Sequence, residues 1–176
     1  AATAGMVVGI GRGTYEENVV VAKSLTLRGS GATVTTIDGG FNGPVVLVEG
    51  ASAVRSEGLT LTRGEGGVSE TGDVTLYRDI VTLNSGRRSG GVYSGGDLVV
   101  DESTIVGNIS LASGGGIHAA GGSVVVRGST VTGNRSALDG GGLFARGPWT
   151  VERSTFSGYV GRYGGASAAL GDGAIQ

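Results

Sequence analysis

Ser103-Thr-Ile-Val-Gly-Asn108 returns as Ser129-Thr-Val-Thr-Gly-Asn134 and, in altered form, as Ser154-Thr-Phe-Ser-Gly-Tyr159. The three copies follow one another at almost the same interval. Weaker copies extend toward the N-terminus at slightly shorter intervals, so that one apolar file reads Ile37, Leu59, Val81, Ile105, Val131 and Phe156. Self-similarity of this kind indicates a stacked repeat, because a unit of this size buries its apolar face only against its neighbours.

The apolar residues within one repeat alternate with polar ones, as in Leu25-x-Leu27, Leu98-x-Val100 and Val124-x-Val126. A period of two residues is typical of strands, and Gly, Asn and Ser separate the segments. Each repeat divides into three short strands, for example 92–93, 98–100 and 104–106. The sequence therefore predicts an all-β, single-stranded, right-handed parallel β-helix of about seven coils, with three short strands per coil of about 22–26 residues. A leucine-rich repeat is excluded because its L-x-x-L-x-L skeleton is missing.

The composition is that of one folded domain, which we assign to residues 1–176. Gly accounts for 38 of 176 residues, but a G-X-Y period is missing and Pro occurs only twice, which excludes collagen. A formal charge of −2 gives no basis for nucleic-acid binding, and no apolar run is long enough for a membrane span. Cys is absent, and the chain opens with Ala1-Ala-Thr-Ala, so we expect a processed, exported protein.

Most of the polar pattern has a structural explanation. Asn84, Asn108 and Asn134 recur at equivalent corners, where stacked amides are expected to form a hydrogen-bonded ladder. The Gly runs mark a second corner, where positive φ or close backbone approach is needed. An outward file of charged residues predicts salt bridges between neighbouring coils, and we read it as Arg28, Arg55, Tyr77, Asp101, Arg127 and Glu152.

The Gly-Gly-x-aliphatic corner, followed further along the coil by a (Phe/Ile/Val)-x-x-Asn segment, resembles the repeat of polymorphic outer-membrane proteins and related bacterial surface β-helices. The residues that carry this resemblance are Gly115 to Ile117 with Ile105 to Asn108, and Gly141 to Leu143 with Val131 to Asn134. The opening segments 13–18, 23–32 and 36–39 are similar to the first coils of secreted pectin-lyase-like β-helix proteins. The resemblance implies the fold and an extracellular or bacterial cell-surface location. It does not decide between adhesins, passenger domains and polysaccharide-cleaving enzymes.

Asp73 and Asp97 are the best catalytic candidates, because a spacing equal to one repeat places them on adjacent coils. Two such carboxylates could hold Ca²⁺ or share a proton, as a polysaccharide lyase or hydrolase requires. Both also begin strands beside glycines, where Asp commonly stabilises a turn. Because a third acid and a base are missing, we predict neither a metal site nor a cofactor, and we favour a non-enzymatic protein.

An aromatic strip is the main candidate for partner binding. Tyr93, His118 and Phe144 occupy equivalent outward positions, and the neighbouring corner adds Tyr159 and Tyr163. Flat rings on one face could bind sugar rings or another protein. The alternative is that a loop of the same chain covers the strip or that the rings pair across strands. As the only histidine, His118 is more typical of structure than of catalysis.

The two ends of the predicted rod carry no recognisable cap. The first strand begins near Met6, and the sequence stops within 171–176 without an amphipathic helix at either end. Open ends favour head-to-tail self-association by strand addition. Our leading interpretation is an extracellular structural β-helix that is surface-exposed or filament-forming, with adhesion to a cell-surface glycan or a host or neighbouring protein as a further role. The alternatives are a polysaccharide lyase or hydrolase and a glycan-binding module.

Overall fold

The computed structural model describes residues 3–50, 52–162, 167–169 and 173–175, and no helix occurs among them. Four parallel sheets run along a β-solenoid of six to seven coils, which confirms the predicted parallel β-helix. Each full coil passes through sheet A, then B, then C, and three of the later coils add a short strand of sheet D between B and C.

The strands are numbered along the chain. Sheet A contains β1 (Val7–Ile10), β4 (Leu25–Gly29), β7 (Ala53–Glu57), β10 (Asp73–Tyr77), β14 (Leu98–Asp101), β18 (Val124–Arg127), β22 (Trp149–Glu152) and β25 (Gly173–Ile175). Sheet B contains β2 (Gly13–Glu16), β5 (Thr35–Asp38), β8 (Thr60–Thr62), β11 (Ile80–Thr82), β15 (Thr104–Val106), β19 (Thr130–Thr132) and β23 (Thr155–Ser157). Sheet C contains β3 (Val19–Val21), β6 (Val46–Val48), β9 (Val68–Glu70), β13 (Val92–Ser94), β17 (Ile117–Ala119), β21 (Leu143–Ala145) and β24 (Ser167–Ala169). Sheet D contains β12 (Ser85–Gly86), β16 (Ile109–Ser110) and β20 (Arg135–Ser136).

The core is a set of apolar files, one for each inward strand position, because alternate residues of a strand face opposite sides. In sheet B the file is Ile37, Leu61, Val81, Ile105, Val131 and Phe156. The predicted register from Val81 onward is therefore confirmed. The prediction that Leu59 belongs to this file is wrong. Leu59 is fully buried at the preceding corner, and Leu61 takes the strand position.

Coil length varies beyond the predicted range. The paired residues Val54 and Val74 are separated by a short stretch of chain. The stretch between the paired residues Leu25 and Val54 is the longest between neighbouring strands of sheet A. The long coil carries the loops at 30–34 and 39–45, which lie outside the strands. A parallel ladder constrains only the paired strands, so loops between sheets can lengthen without disturbing the stack.

The corner between sheets A and B is built from two residues in most coils. The first has a left-handed backbone, with φ between 44° and 65° at Gly58, Arg78, Glu102, Gly128 and Arg153. The second points inward, and the residues there are Leu59, Asp79, Ser103, Ser129 and Ser154.

The corner at the glycine runs is equally constrained. A Cβ on Gly115 would lie 2.5 Å from the carbonyl oxygen of Gly141, so only glycine fits between those coils.

Candidate functional site

The predicted asparagine ladder lies inside the rod. Asn84, Asn108 and Asn134 are at most 1% exposed. Asn84 donates from its backbone N–H and from Nδ2 to Asn108 Oδ1, at 3.1 and 3.0 Å, and Asn108 makes the same two bonds to Asn134 at 2.9 and 3.0 Å. Each Nδ2 also donates to a carbonyl of the preceding coil, such as that of Val81 at 2.9 Å. The amides thus satisfy backbone groups that the bend leaves unpaired.

Tyr159 continues this ladder in place of a fourth asparagine. Its hydroxyl donates to the carbonyl of Val131, the bond that Asn134 Nδ2 makes to Ile105 at 2.9 Å one coil earlier. The ring is partly buried, packs against the core and lies 6.2 Å from the Phe156 ring. Burial raises the pKa of the hydroxyl above its usual value. The sequence-based placement of Tyr159 on an outward binding surface is therefore wrong, because its polar atom is used within the coil.

A second ladder follows the corner between sheets A and B. Ser103, Ser129 and Ser154 each accept a backbone N–H from the preceding coil at 3.0–3.1 Å. Each hydroxyl also donates to the carbonyl two positions earlier at 2.7–2.8 Å. Asp79 occupies the same position one coil earlier, where its Oδ1 accepts the Leu59 N–H at 2.8 Å. Serine is suited to this position because one hydroxyl is both donor and acceptor.

Asp73 and Asp97 lie on adjacent coils, as their spacing predicts, and both carboxylates cap backbone turns. Asp73 Oδ1 accepts the backbone N–H of Asp97 at 2.9 Å. Asp97 Oδ1 accepts both the N–H and the hydroxyl of Ser123, at 2.7 and 2.9 Å, and these bonds hold the pKa of Asp97 below its usual value. Within the described residues, no group of three His, Cys, Asp or Glu side chains is arranged to hold a metal ion.

Replacing Asp97 with alanine is expected to lower the free energy of unfolding by about 1 kcal/mol at pH 7, because two exposed hydrogen bonds from Ser123 are lost. The pKa of Asp97 is lowered by folding, so this stabilisation is present above the ordinary value of 3.8 and is lost as the pH falls through the lower folded value. Denaturant titrations of both proteins from pH 7 to pH 3 measure it. A difference that grows on acidification would contradict this assignment.

The aromatic strip forms in the predicted register. His118 pairs with Tyr93 on one side and with Phe144 on the other, with ring centroids 5.3 and 4.9 Å apart. The predicted exposure is wrong, because Phe144 is only 7% exposed and His118 and Tyr93 are half-buried. The preceding loops fold back over the rings. His118 Nδ1 lies 2.9 Å from the carbonyl oxygen of Arg88 and 3.2 Å from that of Ser113.

These contacts fix the state of His118. Two carbonyl oxygens face Nδ1, so this nitrogen carries the proton. Burial lowers the pKa of the imidazole, although both hydrogen bonds act in the opposite direction. The imidazole ring is therefore neutral at pH 7 and is held between sheet C and the loops that cover it. Tyr93 lies at the accessible end of the strip, where it lines a depression with Arg88, whose guanidinium carbon is 5.7 Å from the ring centroid. Tyr163 lies outside the described residues.

Opposite charges decorate the outer face of sheet A. The file in register is Arg28, Glu57, Tyr77, Asp101, Arg127 and Glu152, so Glu57 replaces the predicted Arg55. Its ion pairs include Arg28 with Glu57 at 3.2 Å and Arg127 with Asp101 at 2.9 Å. Arg55 lies two positions away and stacks its guanidinium 4.6 Å from the Tyr77 ring centroid. Because solvent screens such exposed pairs, they contribute little to stability.

A cleft that sequence reasoning missed lies beside the ends of β2 and β5. It has a volume of about 340 Å³, and its lining residues include Glu16, Glu17, Asp38, Phe41 and Arg63. The signal in the sequence was weak, because these residues belong to the irregular early coils. A large aromatic residue between two glycines and an asparagine, at 39–42, was the one local indication of a special loop.

Comparison of the chain with protein-family models, curated proteins and solved structures found no match. The part of the chain that the structure describes holds no helix of the length and apolar character that a membrane crossing needs.

Proposed function

We propose that this chain is a non-enzymatic structural β-helix that is displayed outside the cell or on a bacterial surface and extends by end-to-end stacking. The observation that carries the proposal is the use of its polar side chains. The asparagines, the corner serines, Asp73 and Asp97 all bind backbone groups of a neighbouring coil. Polar side chains used in this way stabilise the rod and are not available for a reaction. This use of polar side chains supports a structural role for the protein.

The N-terminal edge of the described rod supports the stacking part of the proposal. β1, β2 and β3 each pair with a strand on one side, and no described strand lies on the other. Thr26 donates its backbone N–H to the carbonyl of Met6 at 2.9 Å, so residues 6, 8 and 10 face β4 and residues 7 and 9 face the open edge. An open parallel edge is completed by another strand, supplied by a further coil or by another subunit.

The test is electron microscopy of the native protein, combined with light scattering across a dilution series. We expect filaments whose axial repeat matches the length of the rod, with a scattering mass that falls on dilution. Particles that stay monomeric at high concentration would contradict stacking. If those monomers also release unsaturated or reducing sugars from acidic glycans, and Asp73→Asn or Asp97→Asn abolishes the release, the structural proposal fails as a whole.

Val7→Pro is expected to abolish stacking while the monomer remains folded. Proline removes the N–H of Val7, which faces the open edge, and leaves the bonds of Val8 to β4 in place. Val7→Thr is the matched control, because it keeps the β-branched shape and the N–H. Sedimentation measures assembly, and far-UV circular dichroism measures folding. Filaments of Val7→Pro with wild-type mass would show that β1 is not the stacking edge.

A further inference from the structure

The cleft of about 340 Å³ combines charged groups with an aromatic wall. Glu16 and Asp38 lie side by side because β2 and β5 pair in register, and Glu17 and Asn42 line the same space. Its volume lies within the range of small-molecule sites, roughly 300–1,000 Å³. The site is separate from the aromatic strip, which lies on sheet C.

Asp38 and Arg63 form a fixed polar side of the cleft. Asp38 is 5% exposed and accepts from Arg63 Nε at 2.8 Å and from the Gly40 N–H at 3.1 Å. A second guanidinium nitrogen of Arg63 also contacts this carboxylate. The Arg63 bond holds the pKa of Asp38 below its usual value, so both groups are charged at neutral pH. The Arg63 side chain is 48% exposed, which leaves donor surface available to a ligand.

Phe41 is displayed on a loop that is pinned on both sides. Asn18 Nδ2 donates to the carbonyl of Pro44 at 2.9 Å, and the Phe41 N–H donates to the carbonyl of Arg63 at 2.5 Å. The Phe41 residue is 50% exposed and has a φ of 57°. An exposed ring and a left-handed backbone at a bulky residue are both unfavourable, and neither contributes to the core.

We infer that this cleft binds a carbohydrate through Phe41, Arg63 and the carboxylates of Glu16 and Glu17. Carboxylates accept hydrogen bonds from sugar hydroxyls and Arg63 donates them, while the C–H face of a pyranose ring packs on Phe41. Three acidic groups against one Arg make the cleft negative, which disfavours uronates. The ligand class is a neutral or amine-bearing glycan. This adhesive contact goes beyond the proposed rod and does not depend on stacking.

The neighbouring surface gives the matched control. A second depression of about 300 Å³ lies on the other side of Phe41 and Arg63, and Leu83 and Ile109 line it. Leu83 is 61% exposed and has a φ of 56°, so it shares the exposure and backbone of Phe41 without lining the polar cleft. Changing either residue to glycine relieves the same backbone strain, which is expected to preserve or slightly increase stability.

The experiment measures binding of the wild-type protein to cellohexaose, a chitosan oligosaccharide and polygalacturonate by calorimetry. We expect binding to one or both of the first two and none to polygalacturonate. Phe41→Gly should weaken binding at least tenfold with an unchanged or higher melting temperature, and the double change Glu16→Gln with Glu17→Gln should weaken it as well. Leu83→Gly should bind within about twofold of the wild type.

Three results would overturn the inference. The first is that the wild-type protein binds none of the three probes. The second is that Phe41→Gly binds as tightly as the wild type. The third is that polygalacturonate is the preferred ligand. None of these results affects the proposed rod, because filament assembly is measured separately at the strand edge.

Discussion

Replacing Asn108 with leucine is expected to lower the free energy of unfolding by about 3–6 kcal/mol, a large fraction of the roughly 5–15 kcal/mol that stabilises a typical single domain. The leucine side chain has a similar size but accepts no hydrogen bond, so the backbone N–H and Nδ2 of Asn84 both lose their acceptor. The carbonyl of Val81 loses its donor at the same time. All of these groups are buried, and each unsatisfied one costs about 1–3 kcal/mol. Guanidinium denaturation followed by circular dichroism measures the change.

Tyr159→Phe is the control for this prediction. It removes one hydrogen bond at the end of the same ladder, from the hydroxyl to the carbonyl of Val131, and keeps the ring that packs against Phe156. We expect a loss of about 1 kcal/mol, since the Tyr159 site is only partly buried. Equal and small effects of both changes would mean that the asparagine ladder contributes little to stability.

Asp79→Ser is expected to stabilise the protein by about 2–4 kcal/mol at pH 8 and to change little at pH 4. Asp79 is 1% exposed, and its Oδ2 has no hydrogen-bond partner among the described residues, nor has the nearby Ser56 Oγ. Burial raises the pKa of Asp79 from 3.8 to about 7, although the hydrogen bond from the Leu59 N–H acts in the opposite direction. A serine would supply the donor and acceptor that Ser103 supplies one coil later.

The direction of the pH dependence follows from the raised pKa. Between about pH 4 and pH 7 the unfolded chain loses the Asp79 proton while the folded chain keeps it, so the stability of the wild-type protein falls as the pH rises. Asp79→Ser and the equally sized Asp79→Asn should both remove this slope. The measurement is the unfolding free energy at unit pH intervals from 4 to 8. Variants that keep the wild-type slope would assign it to other groups.

The later coils could be predicted from the sequence because their repeat is nearly exact. Ile105, Val131 and the asparagines share spacing and chemistry, so periodicity alone places them correctly. The predicted strand register was wrong in the early coils, where Leu59 and Leu61 are both apolar and both buried. A shift by one strand period keeps every side chain on the same face of a strand, and the hydrophobic pattern cannot reveal it. The exchange of Glu57 for Arg55 has the same cause.

The second feature that the sequence pattern could not predict was the burial of strand residues by loops. The pattern that places Tyr93, His118 and Phe144 in one file is a property of strands, and it was correct. Whether the file meets solvent depends on how the loop containing Ser113 folds, which has no periodic signal. For the same reason the cleft beside Phe41 could not be predicted, since it is formed by the irregular loop of a long coil.

The two interior ladders give the rod a direction. Leu59 donates to Asp79, Asp79 to Ser103, Ser103 to Ser129 and Ser129 to Ser154, and the asparagines donate in the same sense. In the described coils that carry these ladders, each such corner is thus completed by the coil that follows it in the sequence. Whichever coil forms first, the coil that follows it in the chain supplies side-chain acceptors for its amides, and the coil that precedes it supplies amide donors. The two faces of a growing stack are therefore chemically different, one lined by free amide donors and the other by free side-chain acceptors.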